Sequence, residues 1–283
     1  MKNIRRKSRY IDQVQMVNGV PLFSWLDINP TELCNRTCVF CPRVDPKIYP
    51  NQNLHMKVEL AEKLAAELRG YRYKGGVIFS GFGEPMLHRE FTKLVGAFGH
   101  DIHTELVTNG DKLTETALAD LYGAGLGLIL VSMYDGPGQI EKFHALFRRA
   151  GIGEDQYVLR DRWYDKDKNY GLKLTNRAGM VNSGNQETVD VHRPCYYTHY
   201  SIQLDWNGEA LLCVQDWNKK VKFGDANAQT LLEIWTSNPF MEYRKNLGRG
   251  SRSLSPCNGC NVNGTLHGAN HAREWNKRYA DAS

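Results

Sequence analysis

Three of the seven cysteines lie close enough along the chain to bind one inorganic group. Cys34, Cys38 and Cys41 fall within a stretch of eight residues. A closed zinc site would need a fourth Cys or His nearby, and none follows this triplet before His55. Three thiolates with one open position suit a [4Fe–4S] cluster whose fourth iron binds an external chelator, and the aromatic Phe40 would help to keep such a site dry. The alternative is that three unrelated cysteines are buried in one loop.

The other four cysteines are spread over the last third of the chain. They are Cys195, Cys213, and the pair Cys257 and Cys260, which has the Cys-x-x-Cys spacing of a metal-binding knuckle. Four thiolates complete the ligand set of an iron-sulfur cluster or of a zinc ion, and the residue types alone do not separate the two. Because no secretory signal is recognisable, we expect thiols and not disulfides.

Short apolar runs alternate with helical patterns over the first two-thirds of the chain. The predicted strands span residues 23–28, 76–80, 103–107, 127–132, 156–163 and 172–175, and the predicted helices span residues 60–68, 90–98, 114–122 and 139–150. Strand and helix in regular alternation indicate a parallel sheet with right-handed crossovers. We therefore predict an α/β fold, a partial (β/α)6 barrel of parallel strands.

Such a sheet places its chemistry at the carboxyl ends of the strands. The cysteine triplet, the loop from Gly81 to Pro85, Asn109 and Ser132 each follow or end a predicted strand. We expect them to line one mouth of the barrel.

The pattern changes after Gly179. Residues 181–190 are polar, and residues 201–213 then predict a β-hairpin with a type I′ turn at Asn207-Gly208. A short helix is predicted to start at Leu231. We place a boundary near residue 183, which gives a basic N-terminal tail at 1–21, a core domain at 22–183 and a small α+β domain built on the hairpin at 184–283.

Two motifs together resemble those of the radical S-adenosylmethionine (SAM) enzymes. They are Cys34-Asn-Arg-Thr-Cys38-Val-Phe40-Cys41 and the glycine-acid loop Gly81-Phe-Gly83-Glu84-Pro85 at the end of the next predicted strand. The resemblance covers about residues 22–179. It implies that the open iron binds the amino and carboxylate groups of SAM. Reductive cleavage then yields a 5′-deoxyadenosyl radical, which abstracts hydrogen from an unreactive carbon.

The resemblance also implies which side chains bind the cofactor. Gly81 and Gly83 allow backbone carbonyls to approach the ammonium group of SAM, and Glu84 adds charge or holds the loop. Many members of the family have two adjacent glycines where this chain has Phe82-Gly83. Without the cysteine triplet, a Gly-x-Gly-Glu sequence is usually only a turn.

Further cofactor contacts are expected from the strand ends. Asn109 and Ser132 occupy positions where the family contacts ribose hydroxyls or the methionine carboxylate, Phe40 flanks the cluster, and Arg160 on the fifth strand is a candidate for binding the carboxylate. Asn-Gly is also a common turn, and a serine at a strand end is often a helix cap.

The order of the last four cysteines resembles the SPASM domain and its shorter twitch version, which hold auxiliary [4Fe–4S] clusters. No cysteine follows the Cys-x-x-Cys pair, so the resemblance implies the twitch form with one auxiliary cluster. Four protein thiolates leave no iron for substrate, which makes electron transfer its expected role. All seven cysteines are then ligands, and no thiol remains for the hydrogen donation that radical epimerases commonly require, which disfavours epimerisation unless a tyrosine donates the hydrogen. We therefore expect oxidation of an alcohol carbon to a ketone.

Such a reaction needs a side chain that holds the substrate. Arg177 follows the sixth predicted strand and lies between the two cysteine sets in sequence. An alcohol-oxidising member of the family has an arginine in a comparable place that contacts substrate, so we name Arg177 as the catalytic-site candidate. His192, His199 and Tyr164 are weaker candidates, because each side chain can equally be packing or surface.

The composition agrees with a globular chain that does not cross a membrane. Hydrophobic residues make up 41 % of the sequence, and no segment reaches the ~20 apolar residues that a spanning helix needs. The net charge is +5, part of it from five basic residues among the first nine. We interpret this segment as a solvated tail in preference to a nucleic-acid or lipid contact, and we expect a cytoplasmic enzyme. The resemblance implies a reductant such as flavodoxin or ferredoxin.

Two other functions stay open at this point. Within the same chemistry, the chain is an epimerase or a peptide-modifying maturase, although few residues precede Cys34 for a leader-binding domain. From a different class, it is a zinc-stapled protein whose basic tail binds nucleic acid. The sequence does not resolve the substrate, which we expect to be a sugar, an aminocyclitol or a glycan precursor.

Overall fold

The structure is a computed structural model that describes residues 2–163, 175–182 and 188–281. The chain begins with a helix, α1 (Lys2–Ile11), and a small hairpin of β1 (Met16–Val17) and β2 (Val20–Pro21). Asn18 and Gly19 join these two strands with φ of 50° and 72°. Positive φ at both turn residues is the geometry of a type I′ hairpin turn.

Five strands alternate with four helices over the next part of the chain. In order they are β3 (Trp25–Ile28), α2 (Val58–Gly70), β4 (Gly76–Phe79), α3 (Phe91–Phe98), β5 (His103–Thr108), α4 (Glu115–Gly123), β6 (Leu128–Met133), α5 (Gly138–Arg149) and β7 (Tyr157–Asp161). Adjacent strands from β3 to β7 pair in parallel. The predicted α/β fold is confirmed.

The C-terminal part extends the same sheet. Its elements are α6 (Tyr197–Tyr200), β8 (Ser201–Leu204), β9 (Glu209–Leu211), β10 (Lys222–Asp225), α7 (Leu231–Trp235), α8 (Asn238–Gly248) and α9 (Ala269–Asp281). The sheet has eight strands in the order β10-β9-β8-β3-β4-β5-β6-β7, and β8 lies parallel to β3. The sixth parallel strand of this sheet is therefore β8. The predicted strand at 172–175 falls outside the described residues except for Thr175, which is not in a strand.

Alternation along the strands separates a packed outer face from the interior of the barrel. Leu106, Ile129 and Val131 face the main hydrophobic core, to which Leu60 and Leu64 of α2 also belong. Thr114 caps α4 by accepting a hydrogen bond from the Ala117 amide at 3.1 Å. This cap explains why α4 begins where the sequence predicts.

The hairpin of β8 and β9 is present, but the predicted type I′ turn is wrong. Gly208 has φ of 91°, whereas Asn207 does not have a positive φ. The connection spans four residues, in which the Gly208 amide donates to the Asp205 carbonyl at 3.0 Å and the Asp205 amide donates to the Glu209 carbonyl at 2.9 Å. One left-handed glycine is sufficient in a loop of this length.

The basic N-terminal segment is not a solvated tail, and that interpretation is corrected. It forms α1, in which Ile11 is fully buried and Arg6 forms an ion pair with the buried Glu105 of β5. The Lys7 ammonium lies 5.0 Å from the centre of the Trp25 ring. The long aliphatic stems of these side chains pack on the sheet while their charges find partners in the barrel interior. Among the described residues, no helix combines the length and the apolar character needed to cross a membrane.

Candidate active site

The cysteine triplet lines a cavity of about 130 Å³ at the carboxyl end of the parallel strands. Cys34, Cys38 and Cys41 lie in the long loop between β3 and α2. The Cys41 amide donates to the Cys38 carbonyl at 2.9 Å, and the Cys34 amide donates to Asn51 Oδ1 at 2.8 Å. These bonds fix the backbone so that all three thiols face one space.

The chemistry of this donor set fits a cluster. Burial, together with the negative charges that Cys41 and Cys34 would carry, raises the pKa of Cys38 to about 12. Thiols that influence one another in this way are close in space, and a bound cationic centre would convert them to thiolates. Within the described residues, no three His, Cys, Asp or Glu side chains converge tightly enough to hold a single metal ion. A cubane cluster is larger than an ion, and its ligands stand further apart.

The glycine-acid loop follows β4 and borders the same cavity. Gly81 has φ of 131°, and a Cβ at Gly83 would lie 2.1 Å from the Thr31 carbonyl oxygen. Only glycine fits at both positions. Phe82 is buried against Tyr49 and Trp217. The departure from two adjacent glycines therefore adds a buried anchor to the loop.

Glu84 joins this loop to the end of β5. Its carboxylate accepts hydrogen bonds from the Thr108 hydroxyl at 2.6 Å, the Asn109 amide at 2.8 Å and the Met86 amide at 3.1 Å. Burial raises the pKa of Glu84 to about 7, and these bonds oppose the rise. With its oxygens already engaged, Glu84 holds two strand-end loops in register.

The other predicted cofactor-binding side chains meet at the ends of β5, β6 and β7. Asn109 Nδ2 donates to Asn35 Oδ1 at 2.8 Å, within the cysteine loop. Ser132 lines the cavity, and Arg160 donates to the Ser132 hydroxyl at 2.7 Å without lining the cavity itself. Burial lowers the pKa of Arg160 to about 9, and the charge of Arg162 adds to the effect.

An aromatic pair borders the opening. Phe40 and Tyr134 stack with ring centroids 5.8 Å apart, and both line the cavity. Tyr134 was not among the predicted site residues, although a residue directly after β6 is expected at the mouth of the barrel.

Arg177 also lines the cavity, from a turn that is tied to the C-terminal cysteines. Arg177 and Ala178 have φ of 49° and 53°, a left-handed conformation that costs free energy in residues other than glycine. The turn is held by a reciprocal pair in which the Asn176 amide donates to Asn261 Oδ1 at 2.9 Å and the Asn261 amide donates to Asn176 Oδ1 at 3.2 Å. Asn261 directly follows Cys260. The strained turn therefore positions Arg177 relative to both cysteine sets.

Arg36 is a site residue that the sequence analysis missed. It lies between Cys34 and Cys38, and its guanidinium binds Asp111 at 2.6 Å and Asp135 at 2.7 Å. Those carboxylates follow β5 and β6. The hydrogen bonds that Arg36 donates to both carboxylates raise its pKa above its ordinary value. Arg36 thus fastens the cysteine loop over two strand ends, and the charge signs alone could not reveal the pairing because Asp111 and Asp135 are far away in sequence.

Arg43, also missed, supports the glycine-acid loop from behind. Its guanidinium donates to the Phe82 carbonyl at 2.6 Å and to Glu32 at 3.1 Å. Lys219 binds Glu32 on the other side at 2.5 Å and Asp205 at 2.6 Å. This buried network links the glycine-acid loop to the hairpin of β8 and β9.

The remaining four cysteines line a second, smaller cavity of about 20 Å³, together with Arg252. Burial and the neighbouring Cys195 and Cys260 raise the pKa of Cys257 to about 12. Arg252 is 1 % exposed and donates to backbone carbonyls on both sides of this cavity, including those of Arg193 at 2.7 Å and Val262 at 2.8 Å. Four thiols beside a buried cation suit an anionic cluster with a full set of protein ligands.

The weaker candidates lie elsewhere. His199 is a fully buried residue of α6, close to Gly248, and lines neither cavity. His192 is exposed, and Tyr164 lies outside the described residues.

Comparison with known proteins agrees with both sites. The radical SAM superfamily model matches residues 28–157, which include the first cysteine set, and the SPASM model, an iron-sulfur cluster-binding domain, matches residues 195–261, which include the second. The predicted resemblance is confirmed. The family models also confirm the expected cofactors, SAM and two iron-sulfur clusters.

Individual relatives extend the similarity over most of the chain. The chain is 28 % identical over 245 residues to the S-adenosyl-L-methionine-dependent 2-deoxy-scyllo-inosamine dehydrogenase of Niallia circulans, with 85 % of this chain and 93 % of the relative covered. The crystal structure of BtrN in complex with AdoMet and 2-DOIA superposes with a TM-score of 0.73 at 26 % identity, covering 86 % of this chain and 94 % of that one. The structure of anSMEcpe with bound AdoMet shares the fold, with a TM-score of 0.54, 15 % identity, and coverage of 91 % and 92 %.

Proposed function

The chain is a radical SAM protein with a C-terminal SPASM iron-sulfur domain, and from that premise we propose that it oxidises an alcohol carbon of a polar small molecule to a ketone. The substrate class is a sugar, an aminocyclitol or a glycan precursor. The similarity to a dehydrogenase that acts on an inosamine supports this class. The observation that carries the proposal is that all seven cysteines line one of two cavities, three at an open site and four at a smaller one.

Removing hydrogen from a carbinol takes a hydrogen atom from carbon, a proton from oxygen and one further electron. When bound, SAM with its cluster supplies hydrogen-atom abstraction, and the auxiliary cluster supplies the electron acceptor. Cys34, Cys38 and Cys41 would hold the first cluster. The second would be held by the set Cys195, Cys213, Cys257 and Cys260.

The chain's own side chains orient the reactants. The Gly81–Glu84 loop, held by Arg43 and by the Glu84 contacts, would present backbone carbonyls to the SAM ammonium group. Asn109, Ser132 and Arg160 would bind its ribose and carboxylate, and Phe40 would cover the site. Arg177 would hold the substrate between the two cavities, because its strained turn is anchored beside Cys260. Pre-organisation of this kind contributes by fixing the reacting atoms.

The cysteine count also bears on the main alternative. An epimerase of the thiol-dependent kind needs a cysteine outside the cluster sites to return a hydrogen atom, and the seven cysteines are all assigned. Dehydrogenation needs no such thiol. We place the enzyme in the cytoplasm with a flavodoxin- or ferredoxin-like reductant, and the boundary near residue 183 stays a prediction.

The test is a product analysis. Reconstituted, reduced protein is mixed with SAM and a panel of sugars and aminocyclitols. We expect 5′-deoxyadenosine whose amount matches a product lighter than its substrate by two hydrogen atoms. In the matched variant Cys213→Ala, SAM cleavage should persist while the oxidised product falls at least about tenfold. A product of unchanged mass that carries solvent deuterium on one carbon would contradict dehydrogenation and favour epimerisation.

A further inference from the structure

The candidate active site contains more positive charge than its described partners neutralise. Five arginines lie in or beside the cavity: Arg36, Arg43 and Arg177 line it, Arg162 lines the adjoining cavity at Tyr134, and Arg160 contacts Ser132. The first two are fully engaged, Arg36 with two aspartates and Arg43 with Glu32 and backbone carbonyls. Arg160 donates to the Ser132 hydroxyl.

Arg162 and Arg177 differ from Arg36 and Arg43, because neither has an acidic partner among the described residues. Within the described ranges, the Arg162 guanidinium donates only to the backbone carbonyl of Asp161, at 3.0 Å. Within the part of the chain that the structure describes, Arg177 donates no side-chain hydrogen bond, and its Nε is buried without a partner. The Arg177 guanidinium lies 6.0 Å from the centre of the Trp217 ring. A buried N–H group without an acceptor is costly, so an acceptor is expected when the site is in use.

The acidic groups near the opening do not supply that acceptor. Glu84 already accepts three hydrogen bonds, and Asp111 and Asp135 bind Arg36. Among the described residues, no carboxylate lies within ion-pair distance of Arg162 or Arg177. Burial lowers the pKa of Arg162 and the neighbouring charge of Arg177 lowers it further, while Tyr134 and Asp161 raise it. The two cations therefore repel each other without a shared anion.

The cofactors use only part of this charge. SAM brings one carboxylate, for which Arg160 beside Ser132 is the candidate. A cluster with three thiolates carries net negative charge and SAM carries net positive charge, so the two largely offset each other. Arg162 and Arg177 remain available to a further anion.

We propose that the substrate is an alcohol that carries an oxyanion, a carboxylate or a phosphate, and that Arg177 and Arg162 bind this group. Planar guanidinium groups match the geometry of both oxyanions. A protonated amine would instead be repelled by these two unneutralised cations in a poorly solvated opening. The inosamine in the name of the similar dehydrogenase carries such an amine. That the bound molecule is the substrate rests on the proposed function.

Calorimetric titration of the reconstituted, SAM-loaded protein tests the charge preference directly. The probes are inorganic phosphate, D-glucuronate, neutral D-glucose and cationic 2-deoxy-scyllo-inosamine. We expect phosphate or glucuronate to bind at least about tenfold more tightly than the inosamine, and the stronger of the two identifies the oxyanion. Arg177→Gln and Arg162→Gln should each weaken anion binding about tenfold, and Arg177→Lys should restore part of it. Arg148→Gln removes an exposed arginine that pairs with Glu141 and should change nothing.

Iron content and circular dichroism identify variants that lose the cluster or the fold. The proposal is overturned if neither anion binds at millimolar concentration, if the inosamine binds more tightly than both anions, or if folded Arg177→Gln and Arg162→Gln proteins bind them as the wild type does. These outcomes are separate from the product test. Oxidation of a cationic alcohol would contradict the proposal of an oxyanion-bearing substrate and would support the proposed function. Tight anion binding without 5′-deoxyadenosine from any substrate would support the anion site and contradict the proposed function.

Discussion

Glu84 shows how one side chain sets the geometry of the candidate active site. Each of its hydrogen bonds comes from a group at a strand end or from the adjacent turn, and the carboxylate is 4 % exposed. A buried carboxylate is retained only when its acceptor sites are filled. Its role here is therefore positioning, and SAM affinity is the property that should respond to its loss.

Substitution Glu84→Gln tests this role. An amide has one acceptor oxygen, so at least one of the three donors, from Thr108, Asn109 or Met86, loses its partner. The loss costs about 1–3 kcal/mol, and we expect SAM to bind about tenfold more weakly while the iron content is kept. Equilibrium dialysis of reconstituted protein with labelled SAM measures the effect. Glu90→Gln is the matched control, since Glu90 is exposed and its carboxylate pairs with Lys93. Unchanged SAM affinity in Glu84→Gln would refute the positioning role.

Some site residues can be identified from the nearby sequence, and others only from contacts between distant parts of the chain. The cysteine triplet and the glycines at 81 and 83 are rare types at fixed spacing, so the sequence was enough to select them. Arg36 was not selected, because an arginine is most often a surface charge and its carboxylate partners lie 75 and 99 residues away. The excess charge at Arg162 and Arg177 is likewise visible only when all the partners are in place.

At the scale of elements, α1 departs most from what the sequence predicts. Five basic residues suggest a solvated segment when no partner is known, and the partner of Arg6 is Glu105, 99 residues away in the barrel interior. Two histidines also contact this helix. His103 stacks on Tyr10 with ring centroids 4.4 Å apart, and His267 lies 3.4 Å from the Ser8 hydroxyl.

These histidines make the docking of α1 dependent on pH. Burial, and secondly the charge of Arg6, lowers the pKa of His103 to about 4. Burial, and secondly the charge of Lys7, lowers the pKa of His267 to about 4. Glu105 and Asp12 face the two rings, but Arg6 already neutralises Glu105. A released helix would leave both histidines near their ordinary pKa of about 6.5. Below that pH the released state binds more protons, so docking weakens as the pH falls from about 6.5 towards 4.

Hydrogen exchange measures this dependence. After correction for the intrinsic exchange rate, we expect amides of α1 to exchange about tenfold faster at pH 5 than at pH 7.5, while those of α5 change little. His267→Asn should reduce the difference, because it removes one of the titrating groups. Equal protection of α1 at both pH values would show that the two histidines do not control docking.

The regular elements of the barrel were largely predictable, for a physical reason. The predicted strands and helices from residue 23 to residue 161 overlap β3 to β7 and α2 to α5, since period, caps and glycines act within a few residues of one another. The pairing of β8 with β3 depends on residues about 175 positions apart. No local pattern encodes a contact of that range. The prediction therefore placed the sixth parallel strand at the next apolar run, residues 172–175, and not at β8.

At the scale of the whole molecule, one continuous sheet joins the parts of the chain that contain the two cysteine sets. β8 and β9 extend the barrel sheet beside β3, and the Trp235 indole donates to the Pro21 carbonyl at 2.8 Å from the C-terminal half. The Asn176–Asn261 pair adds a direct link between the turn that carries Arg177 and the second cysteine set. A substrate held at Arg177 would therefore lie at a distance from the two sites that the fold itself fixes.

The central claim is that the chain holds two clusters and that only the N-terminal one binds SAM. Iron analysis and electron paramagnetic resonance of anaerobically reconstituted, reduced protein test it most directly. We predict about eight irons per chain, and about four in either the variant that replaces Cys34, Cys38 and Cys41 by alanine or the one that replaces the C-terminal four. Added SAM should alter the spectrum only when the N-terminal three are present. Full iron content and an unchanged response to SAM after loss of the N-terminal three cysteines would contradict the account.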